Sequence, residues 1–215
     1  MLAFLRAPYP PRTKTATQEI LSFEDGRAKL QFNPPESEFR MTHTVPPTTT
    51  THGVSLAQPP LHYHLHQEET FRVKSGSALF FLGTNKKPFA TIDVNNPNAF
   101  IPAGRYHRFE NASQTVDLVI EEKKSPADDG VDQRFFRNTF GYLDDCKKAK
   151  VEPSVFQLIV FAHAADTPLA LPAPFGVEVL GFWISRVFTI VMAFAGRQMG
   201  YQQSYPEYFQ DKKYV

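Results

Sequence analysis

The sequence predicts an all-β domain that is followed by a C-terminal α-helical extension. From residue 19 to about residue 122, short segments rich in β-branched and aromatic residues alternate with clusters of Pro, Gly and Asn. After residue 126 the apolar residues are instead spaced three or four apart, which is typical of helices. So many short strands in about a hundred residues favour a sandwich or barrel over a parallel sheet with crossover helices.

Eight segments carry the strand pattern, in the order EILSFED, RAKLQFN, EFRMTHTV, ETFRVKSG, SALFFLG, FATIDV, NAFIPAG and QTVDLVIEE. Turn signals bound them, namely DG, NPP, VPP, GTNKKP, NNPN and NAS. We therefore assign residues 19–125 to the β domain and residues 1–18 to an N-terminal arm.

Residues 126–215 form the predicted helical extension, which we expect to pack on the barrel. Its helices are predicted at 131–150, 154–166 and 177–199. The last of these is nearly all apolar, but Glu178 and Arg186 interrupt it, and a charge near the centre of a bilayer costs several kcal/mol. We therefore expect this helix to be buried against the barrel or in a homodimer interface, and not to span a membrane. Attachment to a membrane surface is the remaining alternative.

The composition excludes several classes of partner. The formal net charge is +1, and no basic stripe is interleaved with aromatics, so no nucleic-acid partner is expected. The single cysteine, Cys146, excludes an internal disulfide and fits a reducing compartment. The N-terminus lacks the long apolar stretch of a secretory signal, so a cytoplasmic location is expected.

The stretch LHYHLHQEETF is either a solvated polar turn or part of a metal site. Alternate residues of a strand share a face, so His62, His64 and His66 could all point the same way. Glu69 has the opposite parity, and a turn at residues 65–68 would bring it back towards the first two histidines.

Two motifs resemble those of the cupin superfamily. PLHYHLHQEETFRVKSG, residues 60–76, is similar to the first cupin motif, and PAGRYHRFEN, residues 102–111, is similar to the second. The family usually has Gly at the place of Asn96, and Asn tolerates the same left-handed geometry. The resemblance implies a double-stranded β-helix, or jelly-roll barrel, that holds one divalent metal. The implied ligands are His62, His64, Glu69 and His107.

This resemblance also fixes which histidines are used. Starting from His64 and His66 would leave too few residues before Glu69, so His66 is expected to lie at the rim. Three imidazoles and a carboxylate suit Fe, Mn, Ni, Zn, Co or Cu. Such an ion can polarise a carbonyl, and a redox-active one can also activate O2.

Residues beside the ligand positions are expected to bind the substrate. Phe71, Phe100 and Phe109 would flank the metal, and Tyr106 lies in the adjoining turn. Arg105 could meet a carboxylate or phenolate at the mouth of the pocket. An aromatic cavity favours a planar or hydrophobic organic substrate. The alternative is that these rings are only barrel core.

His43 is the candidate catalytic residue, because Phe39, Met41 and Val45 share its face of the predicted strand. If that face is inward, His43 could act as a general acid or base. The alternative is a core histidine whose nitrogens are satisfied by hydrogen bonds.

Three functional hypotheses follow. The first is a metal-dependent enzyme that uses the ion as a Lewis acid on a small organic molecule, as an isomerase, dehydratase, decarboxylase or cyclase. The second is an O2-dependent cupin dioxygenase. The third is a non-enzymatic ligand-binding cupin.

Overall fold

The structure is a computed structural model that describes residues 2–210. Within this range, nine strands are followed by three α-helices. The strands are β1 (Ile20–Phe23), β2 (Ala28–Phe32), β3 (Met41–Val45), β4 (Glu68–Ser75), β5 (Ser77–Leu82), β6 (Ala90–Asp93), β7 (Asn98–Ile101), β8 (His107–Asn111) and β9 (Leu118–Ser125). The helices are α1 (Asp129–Ala149), α2 (Val155–Ala164) and α3 (Glu178–Gln198), with short 3-10 turns at Ala3–Leu5 and Pro174–Gly176.

The strands form two antiparallel sheets. The larger sheet has the order β1-β2-β3-β9-β4-β7, and the smaller has the order β6-β5-β8. Alternate residues of each strand are buried between them, as β3 illustrates by turning Met41, His43 and Val45 inward. Phe71, Phe80 and other apolar side chains fill one end of this interior. The predicted all-β jelly-roll core with a C-terminal helical extension is confirmed.

One glycine in each motif has the left-handed backbone conformation that favours glycine. Gly76 has φ of 78°, and a Cβ at this position would lie 2.7 Å from the carbonyl oxygen of Asp117. Gly104, in the Pro-x-Gly turn, has φ of 76°. Asn96 does not adopt a positive φ, so this departure from the family pattern causes no backbone strain.

Helix α1 lies against the larger sheet. Asp128 caps its N-terminus by accepting a hydrogen bond from the backbone N–H of Val131. The ring of Phe140 stacks on Phe23 of β1, with 4.6 Å between the ring centroids. Phe136 and Phe140 therefore join the barrel core from the helical side.

The N-terminal arm is held in place by hydrogen bonds to the helical extension. Both the backbone N–H and the hydroxyl of Thr13 donate to the carboxylate of Asp145, at 2.8 and 2.6 Å. Tyr208 donates to the same carboxylate at 2.7 Å. The buried Asp145 thus ties the arm and the C-terminal segment to α1.

Helix α3 packs through small residues, which the sequence reading did not anticipate. Its buried positions are Gly181, Ser185, Thr189, Ala193 and Gly196. The large apolar residues that gave the helical spacing face outward, so they are not buried against the barrel, which was one of the placements expected from the sequence. Of the helices within residues 2–210, α3 is the one that is long and apolar enough to cross a membrane, judged by length and composition only.

Candidate metal centre

The four residues implied by the two motifs meet inside the barrel. His62 and His64 lie on an extended segment that precedes β4, and His62 forms isolated bridges with His107 and with Leu169. Glu69 is the second residue of β4, and its side chain is buried. One ligand atom from each of His62, His64, Glu69 and His107 lies within 4.8 Å of all the others.

Chain alternation explains why the first two histidines share a side. Tyr63, between them, points the opposite way, where its ring stacks on Tyr106 and its hydroxyl donates to the carbonyl oxygen of Phe182 in α3. His66, which the sequence placed at the rim, is exposed and lies outside the cluster.

Hydrogen bonds hold the Nδ1 atoms of all three histidines. Nδ1 of His62 lies 2.8 Å from the carbonyl oxygen of Pro60, and Nδ1 of His107 lies 2.9 Å from that of Arg105. A carbonyl oxygen can only accept, so both Nδ1 atoms carry protons. Nε2 of each neutral ring is then left with a free electron pair.

The third histidine is oriented by a side chain from beyond α2. Nδ1 of His64 lies 3.0 Å from the hydroxyl oxygen of Thr167, and that hydroxyl donates its own proton to the carbonyl oxygen of Ala165, at 2.9 Å. The hydroxyl therefore accepts from Nδ1 of His64, and its Nε2 also presents an electron pair to the cluster.

The inward-facing atoms lack hydrogen-bond partners. Nε2 of His64 lies 2.8 Å from Oε1 of Glu69, and Nε2 of His107 lies 2.6 Å from Oε2. Despite these short contacts, neither Nε2 atom nor Oε2 of Glu69 makes an aligned hydrogen bond. Buried polar atoms are seldom left unpaired, and electron pairs that converge at this distance repel unless a cation lies among them. The donor set therefore fits a divalent transition metal.

The charges of the cluster favour metal ligation. Burial, together with the neighbouring rings of His107 and His64, lowers the pKa of His62 well below its usual value. Burial also lowers the pKa of His64. Burial alone would raise the pKa of Glu69, but charge pairing with His64 and His107 holds it well below its usual value. In turn, and in spite of burial, the Glu69 carboxylate raises the pKa of His107, so a bound cation would replace a proton there. Neutral imidazoles and an ionised carboxylate are the forms that bind metals.

A cavity of about 370 Å³ adjoins the cluster. This volume lies within the range of roughly 300–1,000 Å³ that is typical of small-molecule sites. His62, His64 and Glu69 form its polar end, and the remaining wall is mostly apolar. The apolar side chains come from the barrel and from α1 and α2, and they include Leu56, Phe71, Phe109, Phe135, Phe136, Phe140, Leu143, Leu158 and Leu169.

A second polar group lies in the cavity wall. His43 is buried there, and its Nε2 lies 2.9 Å from Oε2 of Glu122 on β9. Behind them, Nζ of the buried Lys124 lies 3.6 Å from Oε1 of Glu122 and 3.1 Å from Oδ1 of Asp132. A chain of charged groups thus runs from the cavity to the first turn of α1.

The pKa values of this chain reflect burial and pairing together. Burial alone would lower the pKa of Lys124, but Asp132 and Glu122 outweigh it and raise that pKa above its usual value. Burial raises the pKa of Asp132 to about 6, in spite of Lys124 beside it.

Of the predicted substrate-binding residues, the structure places some in the wall of the cavity and others outside it. Phe71 and Phe109 line the cavity, as expected. Phe100 does not, because Ala99 and Ile101 take the inward positions of β7 and leave Phe100 on the outer face, 52% exposed. The expectation for Phe100 was therefore wrong.

Arg105 and Tyr106 also lie away from this cavity. Arg105 points to the surface, where its Nη2 lies 3.8 Å from Oε2 of Glu178. The hydroxyl of Tyr106 lies 3.0 Å from that of Ser185, in the packing beneath α3. Both side chains connect the second motif to α3, and neither is positioned to contact a molecule in the cavity.

Sequence reasoning missed three parts of the site, namely Glu122, the phenylalanines of α1 and Thr167. Glu122 had a signal, because it follows Leu118 and Ile120 at alternate positions of an apolar strand face. The phenylalanines of α1 were assigned to a helix without any indication that they would face the cavity. No sequence signal pointed to Thr167.

A jelly-roll barrel that brings these four side chains together from the two motifs defines the protein as a cupin. No family model matches the chain. The chain is 33% identical to the "Probable oxidoreductase virH" of Hypocrea virens over 95% of its length and 93% of that protein. It is 34% identical to "Oxidoreductase iacF" of Pestalotiopsis fici over 77% of its length and 83% of that protein. The chain belongs to the family of these fungal oxidoreductases.

One solved structure illustrates how far the structural likeness extends. The cupin domain of Schizosaccharomyces pombe Cnp3 is similar over 56% of this chain and 72% of that chain, with a TM-score of 0.36 and 13% identity.

Proposed function

We propose that this chain is a metal-dependent oxidoreductase that acts on a small hydrophobic organic molecule. The observation that carries the proposal is the set of unpaired, buried nitrogen and carboxylate atoms at the polar end of an apolar cavity. His62, His64, Glu69 and His107 would hold one divalent transition metal, of which Fe, Mn, Ni, Zn, Co and Cu all suit the ligand set.

When bound, a redox-active ion would supply electron transfer and a site for polarising the substrate. The protein's own contribution is a water-poor cavity that places one face of the substrate against the ligand cluster. The rings of Phe71, Phe109 and Phe136 favour a planar or hydrophobic body over a sugar or a small dicarboxylic acid.

The pair formed by His43 and Glu122 is the proposed site of proton transfer. His43 lines the cavity, and its Nε2 lies 2.9 Å from Oε2 of Glu122, so the imidazole is placed to accept a proton from a substrate group or to return it. Glu122 would stabilise the resulting imidazolium, and Nζ of Lys124 lies 3.6 Å from Oε1 of Glu122. His43 is thus proposed as the general acid–base.

The names of the relatives support an oxidative reaction. The family members virH and iacF are both named as oxidoreductases. If the present chain is also an oxidoreductase, an O2-dependent reaction is favoured over a redox-neutral reaction.

The test combines metal analysis with an oxygen assay. The purified protein would be analysed for bound metal, then reloaded with Fe(II), Cu(II), Mn(II) or Zn(II), and oxygen uptake would be followed with a panel of apolar phenols and polycyclic aromatics. We expect uptake with a redox-active ion and none with Zn(II). Glu69→Gln should abolish both the bound metal and the uptake, and the matched surface variant His66→Ala should retain them.

A redox-neutral reaction is the second candidate, because the buried His43–Glu122 pair would also serve an isomerase, dehydratase, decarboxylase or cyclase. Product formation under anaerobic conditions in the Zn(II)-loaded protein would favour this candidate and contradict the oxidative proposal.

A further inference from the structure

Helix α3 turns its large apolar side chains away from the rest of the chain. The buried side of the helix consists of small residues. The opposite side exposes nine large apolar side chains by 38% to 66%, among them Leu180, Trp183, Val187, Val191 and Phe194. We call this side the outer face of α3.

The outer face is larger than an ordinary apolar surface patch. Aromatic side chains carry roughly 150–250 Å² each and aliphatic ones less, so nine at about half exposure present on the order of 700 Å². The largest apolar patch on a typical monomer is roughly 300–600 Å². A continuous face of this size on one helix indicates a contact surface.

Further exposed apolar residues lie near both ends of α3. Phe175, just before the helix, is 99% exposed, and its φ of 55° lies in the left-handed region that non-glycine residues rarely adopt. At the other end, the backbone N–H of Leu2 donates to the carbonyl oxygen of Gln198 at 2.7 Å, which places the 80%-exposed Phe4 nearby. The apolar surface therefore extends beyond the length of the helix itself.

Two arginines of α3 lie at the border of the outer face. Arg186 and Arg197 are eleven residues apart, which is about three helical turns, so they lie on the same flank. The guanidinium of Arg186 lies 5.5 Å from the ring centre of Trp183. The one acidic residue of the helix, Glu178, is already paired with Arg105.

We propose that the outer face of α3 binds the surface of a lipid bilayer that carries anionic headgroups. A helix with aromatic and aliphatic side chains on one face and arginines at its flank lies in the plane of such an interface, with the apolar residues among the acyl chains. Among residues 2–210, Arg186 and Arg197 form no ion pair, and lipid phosphates and carboxylates would supply their negative partners. The sequence argues against a membrane span for this helix but leaves attachment to a membrane surface open, and the proposal takes up that alternative.

A second copy of the chain fits the outer face less well. Two α3 helices related by a two-fold axis would place two positively charged flanks, each with Arg186 and Arg197, at the edges of one interface. The helix offers no unpaired acid to compensate these like charges. A bilayer surface meets both the apolar and the electrostatic requirement.

Vesicle flotation with the full chain tests the proposal. Wild-type protein is expected to float with vesicles of phosphatidylcholine and phosphatidylserine, and more weakly with phosphatidylcholine alone. The variant Val187→Gln/Phe194→Gln should lower the partition coefficient at least roughly tenfold for each apolar side chain removed. Arg186→Gln/Arg197→Gln should lower binding to the anionic vesicles roughly fivefold for each arginine and reduce its salt dependence.

Controls separate this result from a general loss of structure and from self-association. Phe100→Gln removes an apolar side chain that is 52% exposed on β7, away from α3, and should leave flotation unchanged. Thermal melts of all variants should match wild type, since the changed side chains are exposed. Failure of wild-type protein to bind anionic vesicles would overturn the proposal. So would sedimentation showing a lipid-free dimer that Val187→Gln/Phe194→Gln converts to monomer, because the outer face would then be an interface between copies.

Discussion

The hydroxyl oxygen of Thr167 lies 3.0 Å from Nδ1 of His64, and both side chains are buried. Thr167 follows α2, about forty residues beyond the last strand of the barrel. A residue of the helical extension therefore sets the orientation and tautomer of a residue in the first barrel motif. The extension belongs to the proposed metal centre and is not only an addition to its outer surface.

Replacing Thr167 by Val should weaken metal binding while leaving the barrel folded. Valine has nearly the same shape but cannot accept the proton of Nδ1, so the His64 ring loses its fixed orientation. Losses of about 10- to 100-fold in metal affinity are usual when such a partner is removed. Competition with a chelator of known affinity would measure the change. Thr167→Ser keeps the hydroxyl and should bind nearly as tightly as wild type; equal affinity of the Val variant would contradict the assigned role.

Removing a single proposed ligand should empty the centre. His62→Ala, His64→Ala, Glu69→Gln and His107→Ala are each expected to cost most of the bound metal, because each removes one of the four converging donors. Elemental analysis of the purified variants would give the metal-to-protein ratio. His66→Ala is the matched control, since this histidine is exposed. If His66→Ala lost the metal and His62→Ala kept it, the ligand assignment would be wrong.

Strand alternation and turn residues made the barrel and the cluster predictable from sequence. Each of the eight predicted β segments overlaps one observed strand, because apolar alternation and turn residues act locally, and β8 lies outside these segments. The position of Glu69 followed from the same alternation, combined with the turn that precedes β4. The spacing of the motifs then distinguished His62 from His66.

Alternation could not decide which residues of an apolar segment face inward. In NAFI, both Ala99 and Phe100 are apolar, and register with β4 places the smaller one in the core. Likewise, apolar spacing identified α3 as a helix but did not indicate that its small residues would form the contact. These choices depend on tertiary packing, and the sequence carries no local signal for them.

The stacking of Phe140 on Phe23 should contribute strongly to stability. Phe140→Ala removes the ring that joins α1 to β1, and large-to-small core changes of this kind cost about 3–5 kcal/mol. Because one side of the ring faces the cavity, we expect a value near the lower limit. Urea denaturation would give the change in the free energy of unfolding. The comparison variant Phe100→Ala, on the outer face of β7, should cost less than about 1 kcal/mol.

Asp132 should make stability depend on pH in a defined window. Its pKa is raised from 3.8 to about 6, so the folded chain holds the carboxyl proton more tightly than the unfolded chain does. This contribution to stability is fully present below the unfolded pKa and is lost as the pH rises through the folded pKa. Ionised Asp132 therefore costs free energy at neutral pH, on the order of 2–3 kcal/mol by linkage.

The variant Asp132→Asn isolates that contribution, because its amide resembles the protonated carboxyl in shape and does not titrate. The free energy of unfolding of wild type, minus that of the variant, should fall between about pH 4 and pH 6 and stay constant above that range. Urea denaturation of both proteins across this range would measure the difference. In the variant, Lys124 loses the charged carboxylate of Asp132 but keeps Glu122 as its partner, so the same experiment measures how much the ion pair with Asp132 contributes. A difference that rose with pH instead would mean that the ion pair between Lys124 and Asp132 outweighs burial of the carboxylate.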